Sequence, residues 1–160
     1  MKKLGLILSV LIIGLSGFAT NLSETYYVAS TGEKLDCKKI QVGTNIIKAT
    51  LENGKKISIS TSMVKLYRLN GKTFEKLPVF VNNKSANNQL FMEFVATRAG
   101  LKLYKYSKYE EGVDANTGVY LGVAKVDHYL VFHGDQFHVE VTDKNYQTLF
   151  DFFRITYSKS

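Results

Sequence analysis

The chain has 160 residues, a formal net charge of +7, a single cysteine, a single proline and no tryptophan. A lone Cys37 excludes an internal disulfide framework and a thiolate metal cage, so the fold must rest on hydrophobic packing, for which a 45% hydrophobic composition provides. With no histidine near it in sequence to activate a thiolate, Cys37 reads as a small apolar residue.

Lys2 and Lys3 precede an apolar run of 12 residues, Leu4 to Leu15, and then Ser16-Gly17-Phe18-Ala19. This is the order of a secretory signal peptide, and the run is short of the roughly 20 residues that cross a bilayer as a helix. The expectation is cleavage after Ala19, no lipid attachment because no cysteine sits near that point, and a mature chain in the periplasm, on the cell surface or secreted, without a transmembrane segment. Residues 20 to 81 then hold ten Lys/Arg against five Asp/Glu, whereas residues 82 to 160 hold nine of each. A basic first half suits anionic polymers or lipid headgroups, although it also serves simply as a solvated surface.

From Tyr26 onward, short β-branched and aromatic runs alternate with turn pairs such as Asn53-Gly54, Asn70-Gly71, Ala99-Gly100 and Gly134-Asp135. Turn signals this regular predict an antiparallel meander, and one proline leaves the strands free to pair. In NIIKATLENGKKISIS, a two-residue loop at Asn53-Gly54 would put Ile57 and Ile59 on the face opposite Ile47, Ala49 and Leu51. A three-residue loop, Glu52 to Gly54 with Gly54 left-handed, unites all five on one face, and burial selects it.

Residues 82 to 88 (NNKSANN) read as a polar break. The expected organisation is a small-barrel-like hairpin unit over 20–81 and a β-meander plus helix over 89–160, or a single composite domain over 24–157. In QLFMEFVATRAGLKLYKYSKY, a loop from Thr97 to Gly100 pairs Ala96 with Leu101 and Phe94 with Leu103. Phe91, Tyr104 and Tyr106 then form an outward stacking surface, with Lys102 and Lys108 as its charged rim, suited to sugar rings or a peptide. Otherwise another element covers that face. The loop EEGVDANTG at 110–118 carries carboxylates without the spacing of an EF-hand.

All three histidines lie in HYLVFHGDQFHVE. A turn at Gly134-Asp135 pairs Phe132 with Phe137, Val131 with His138 and Leu130 with Val139. His133, His138 and Glu140 then share the outer face, with His128 on the inner one. His133 and His138 form a weak candidate chelate, because neighbours along one strand splay apart instead of converging as zinc ligands do. Neither HExxH nor the cupin spacing occurs, nor GxSxG or a phosphate-binding glycine loop. Last, Tyr146, Leu149, Phe150 and Phe153 keep a helical spacing in TDKNYQTLFDFF, with Thr142 or Asp143 as the cap and the stripe lying on the sheet.

The segments YVASTGEKLDCKKI, LENGKKISIS, VKLYRLNGKTFEKLPVF, FMEF and LKLYKY follow one another in an order that resembles small exported proteins of Bacteroidota carrying β-rich domains. That resemblance implies a periplasmic or cell-surface location and carries no functional residues. The C-terminal RITYSKS is shorter than the tail it leads one to expect. Taken together, the residues predict a mainly β fold closed by one amphipathic helix. They point to a non-enzymatic binding module of the cell envelope that meets a protein or glycan, without a cofactor and without nucleic acid. The alternatives are a metal-dependent or hydrolytic enzyme using the histidine hairpin, and an adhesion or polyanion-binding module.

Overall fold

A computed structural model describes residues 25–114 and 116–156. The expected signal peptide lies outside the described residues. Ten strands are β1 (Tyr26–Ala29), β2 (Lys34–Val42), β3 (Ile46–Leu51), β4 (Lys56–Ser60), β5 (Val64–Leu69), β6 (Lys72–Val81), β7 (Lys84–Arg98), β8 (Leu101–Val113), β9 (Tyr120–His133) and β10 (Gln136–Glu140). A 3-10 turn (Thr61–Met63) joins β4 to β5, and α1 (Tyr146–Phe153) closes the described chain. The strands form one antiparallel sheet in the order β10-β9-β8-β7-β6-β5-β1-β2-β3-β4. The mainly β meander with a C-terminal helix is therefore the observed fold, and the sheet curls at its N-terminal end without closing into a barrel.

The hairpin between β3 and β4 has the register that burial selects. Ile47 faces Ile59 and Ala49 faces Ile57, with Gly54 left-handed at φ +83°. These residues join Tyr27, Cys37, Ile40, Val64 and Tyr67 in a first cluster, against which Phe74 and Phe91 pack. Burial pushes the Cys37 thiol up, as suits a core residue. Tyr67 stacks on Phe74 at 4.8 Å and meets the edge of Phe91 at 5.0 Å.

Residues 82 to 88 do not interrupt the sheet. Asn82 and Asn83, both at positive φ, make a two-residue turn, and β7 begins at Lys84. Their polarity reflects the turn chemistry and an exposed strand start. Beyond Glu75, β6 no longer pairs with β5, so the missing N–H of Pro78 leaves no ladder bond unmade. A bulge between Pro78 and Phe80, with Asn87 left-handed on β7, bends this hairpin end into a flap over β8–β10. Phe80 stacks on Phe137 at 3.9 Å, and Asn83 Oδ1 accepts the Glu140 N–H at 3.4 Å.

The second half of the sheet is thus covered on both faces. Under the flap lie Leu77, Val79, Met92, Tyr104, Tyr106, Leu130 and Phe132. On the opposite face α1 buries Phe150 and Phe153 against Leu103 and Val131, with Tyr146 and Leu149 alongside, as the helical stripe predicts. The helix starts later than Thr142 or Asp143 would set it. Asn145 is the N-cap, with its side chain holding the Thr142 N–H and the Glu140 carbonyl, and Arg154 ends the helix in the left-handed region. Between the helix and the first cluster runs a polar belt, in which Lys72 and Lys105 pair with Glu93 and Lys105 also pairs with Asp127.

Two backbone tests follow from the turns. Ala99 occupies a left-handed position (φ 49°) in the two-residue Ala99-Gly100 turn, so Ala99→Asn should raise stability by about 1 kcal/mol. Gly54→Val should lower it by about 1 kcal/mol or more, and urea titration of both variants would read the opposite signs. The tyrosine core also fixes an alkaline limit. Burial pushes the Tyr67 hydroxyl up to about 12 and raises Tyr104 and Tyr106 as well. A folded-state value above the unfolded one stabilises fully below pH about 10 and is lost as pH rises through the folded value. Melting temperature should fall steeply between pH about 10 and 12, and Tyr67→Phe should soften that fall.

Candidate functional site

The expected aromatic surface is not on the surface. The turn after β7 has two residues, with Arg98 facing Leu101, and a bulge between Phe94 and Ala96 then sets Phe94 opposite Tyr104. This shifts the pairing of Phe94 from Leu103 to Tyr104, so both tyrosines point under the flap. Tyr104 is 1% exposed and donates its hydroxyl to Glu75 Oε2 at 2.8 Å, while Tyr106 is 6% exposed. Phe91 points to the other face, into the first cluster. Lys102 approaches Glu75 at 4.0 Å and Lys108 pairs with Glu110 at 2.6 Å. The five residues therefore form no common binding surface.

The histidine hairpin turns at Gly134-Asp135 and pairs Phe132 with Phe137 as read from the sequence. A bulge at His138 then resets the ladder, with Val139 opposite Val131 and Glu140 opposite Leu130. His133 and His138 stay exposed, but the extra residue between their strands removes the diagonal step that would make them a chelating pair. Among the described residues, no group of three His, Cys, Asp or Glu is placed to hold a metal.

The same bulge carries Glu140 to the flap side, where His128 and Tyr106 face each other across β8 and β9. The Tyr106 and His128 rings stack at 5.1 Å, and His128 Nε2 lies 3.0 Å from Glu110 Oε1 without the alignment of a hydrogen bond. Tyr106 Oη, His128 Nε2 and Glu140 Oε2 are buried, and among the described residues none has a hydrogen-bond partner. Burial raises the Tyr106 hydroxyl, opposed by Lys108 and reinforced by Glu140 and Glu110. The hydrogen bond from Lys108 holds the Glu110 carboxyl below its ordinary range. A phenol, an imidazole and two carboxylates thus share the flap side of β8–β10, with Glu110 at its exposed margin. Sequence reading missed it because only the bulge at His138 brings Glu140 to it.

Beside this cluster β8 and β9 leave the sheet. Lys105 is the last β8 residue paired with β7, and β10 pairs with β9 only from Leu130 onward. The outer part, Tyr106–Val113 with Tyr120–His128, is a two-stranded arm on the order of 25 Å long by strand rise. Its tip is held by the Asp114 carboxylate, which accepts the N–H groups of Asn116 and Thr117. Tyr109 (75% exposed), Leu121 (68%), Tyr120, Val113, Val119 and Val123 all lie on it. Glu111 faces Val123 and Lys125 faces Tyr109, so opposite charges flank the apolar residues. The loop expected over 110–118 begins only after Val113, because Glu110 to Val113 extend β8 along β9.

Two phenylalanine substitutions separate the buried tyrosines. Tyr104→Phe should destabilise by about 1–2 kcal/mol, because it strips the partner from a half-buried carboxylate. Tyr106→Phe removes a buried hydroxyl without a partner and should be neutral or stabilising by up to about 1 kcal/mol. Chemical denaturation of the two variants reads this difference, and equal effects would show that the Tyr104 hydroxyl does not hold Glu75. No protein-family model, curated protein or solved structure matches the chain, so its functional reading rests on this geometry.

Proposed function

We propose that the protein is an exported, non-enzymatic binding module of the cell envelope, and that the β8–β9 arm is its contact element. The observation that carries this reading is the run of six apolar residues on the arm, each more than half exposed. Isolated two-stranded ribbons are marginal in water, and apolar residues on both strands without cover mark a surface that a partner completes. The arm also has two unpaired strand edges, which accept an extended segment by backbone hydrogen bonding. Its aromatic and aliphatic side chains suit a protein partner, with Glu111 and Lys125 fixing orientation from the rim.

A photoreactive residue placed at Tyr120 in the full chain, irradiated in intact cells, should yield one discrete adduct with an envelope protein. The same residue at Lys55, in the turn at the far end of the sheet, should not. Identical adducts from both positions, or none from Tyr120, would sink the assignment of the arm. Tyr120→Ser with Leu121→Ser should abolish the adduct from a probe at Tyr109 and shift the melting temperature by no more than a few degrees.

A further inference from the structure

The outer face of β2–β4 carries a second, independent feature. Lys39 faces Thr50, which faces Lys56, and in the next row Gln41 faces Lys48, which faces Ser58. A bulge at Lys38 sets this register, keeping Ile40 inward and Lys39 and Gln41 outward. All three lysines are exposed, and none is ion-paired among the described residues. The six side chains border an open depression of about 450 Å³. Between residues 38 and 56 there are five lysines and only Glu52 as an acid, so the excess positive charge of the first half is concentrated here.

The geometry points to a binding face for an acidic polysaccharide, with Lys39, Lys48 and Lys56 as its charge contacts. Strands lie about 4.8 Å apart, so the Cα atoms of Lys39 and Lys56 are separated by roughly 10 Å, with Lys48 about one pleat repeat along the strand. Three ammonium groups rooted that far apart match a ligand that repeats its charge along its length better than one small anion. Gln41, Thr50 and Ser58 lie between the lysines and supply amide and hydroxyl groups that exchange hydrogen bonds with sugar hydroxyls. No aromatic residue shares these two rows, which removes the stacking platform that single-stranded nucleic acid uses. The face lies at the opposite end of the strand order from the arm, so neither assignment depends on the other.

The test is titration of the full protein with dextran sulfate and polygalacturonate, against neutral dextran, single-stranded DNA and anionic phospholipid vesicles. Binding is followed by calorimetry across a salt series. Both acidic polysaccharides should bind and neutral dextran should not, with an affinity that falls with salt as about three released counterions require. Lys39→Gln with Lys48→Gln and Lys56→Gln should weaken binding by about tenfold or more and flatten the salt slope. The corresponding three arginine substitutions should preserve binding. Lys65→Gln with Lys84→Gln and Lys144→Gln removes the same charge elsewhere and should change affinity less than about threefold. An equal loss in that control would show a net-charge effect and overturn the site. Tighter binding of DNA or vesicles than of either polysaccharide would overturn the ligand class. Circular dichroism of each variant separates lost binding from lost fold.

Discussion

The ladder between β8 and β9 organises everything around it. It runs from Leu101 opposite His133 to Val113 opposite Tyr120, the longest pairing in the sheet. Successive residues along it point alternately to two covered faces. Leu103 and Val131 go to the helix, and Tyr104, Leu130 and Phe132 go beneath the flap. Neither α1 nor the bent end of β6–β7 could be buried without it. Where the ladder outruns its neighbours it becomes the arm, so the core and the exposed apolar element are two ends of one pair of strands.

This double coverage also explains what the sequence conceals. The turns at Gly54 and Asn70-Gly71, the five-residue inward face of β3 and β4, and the α1 stripe are written in local patterns, and the chain adopts them. Tyr104 and Tyr106 alternate with lysines, a pattern that normally marks a wetted face. Here Lys102 reaches Glu75 and Lys105 reaches Glu93 and Asp127, so the long side chains lead their charges out of a sheet that is covered on both sides. The bulges after Phe94 and Phe137 have no sequence signature of their own. Each is a one-residue offset imposed by what the strand must pack against, and each reassigns the residues that follow. The candidate site inherits this: strand alternation puts His128 on the inner side, but Glu140 joins it only through the offset at His138.

The polar cluster and the lysine face illustrate two different electrostatic situations. On the outer face of β2–β4, ammonium groups stand in water, where attraction is long-ranged and readily screened by salt. Beneath the flap, Tyr106, His128 and Glu140 hold polar atoms out of water, at a desolvation cost that apolar substitutes would avoid. The flap turn takes part in this arrangement, because Asn83 reaches the backbone of Glu140 itself.

The order of strands has a kinetic meaning. Every ladder joins strands adjacent in the chain, except that β5 crosses back to pair with β1, setting Tyr27 opposite Tyr67. All but one of the pairings can therefore form by closing a short turn, and a single longer loop must close to complete the N-terminal curl. Such low sequence separation places the chain toward the rapid end of the range for all-β domains. A strand-rich protein of this topology leaves its edges unpaired only briefly as it folds, apart from the arm and the edge strands that keep unpaired backbone in the finished structure.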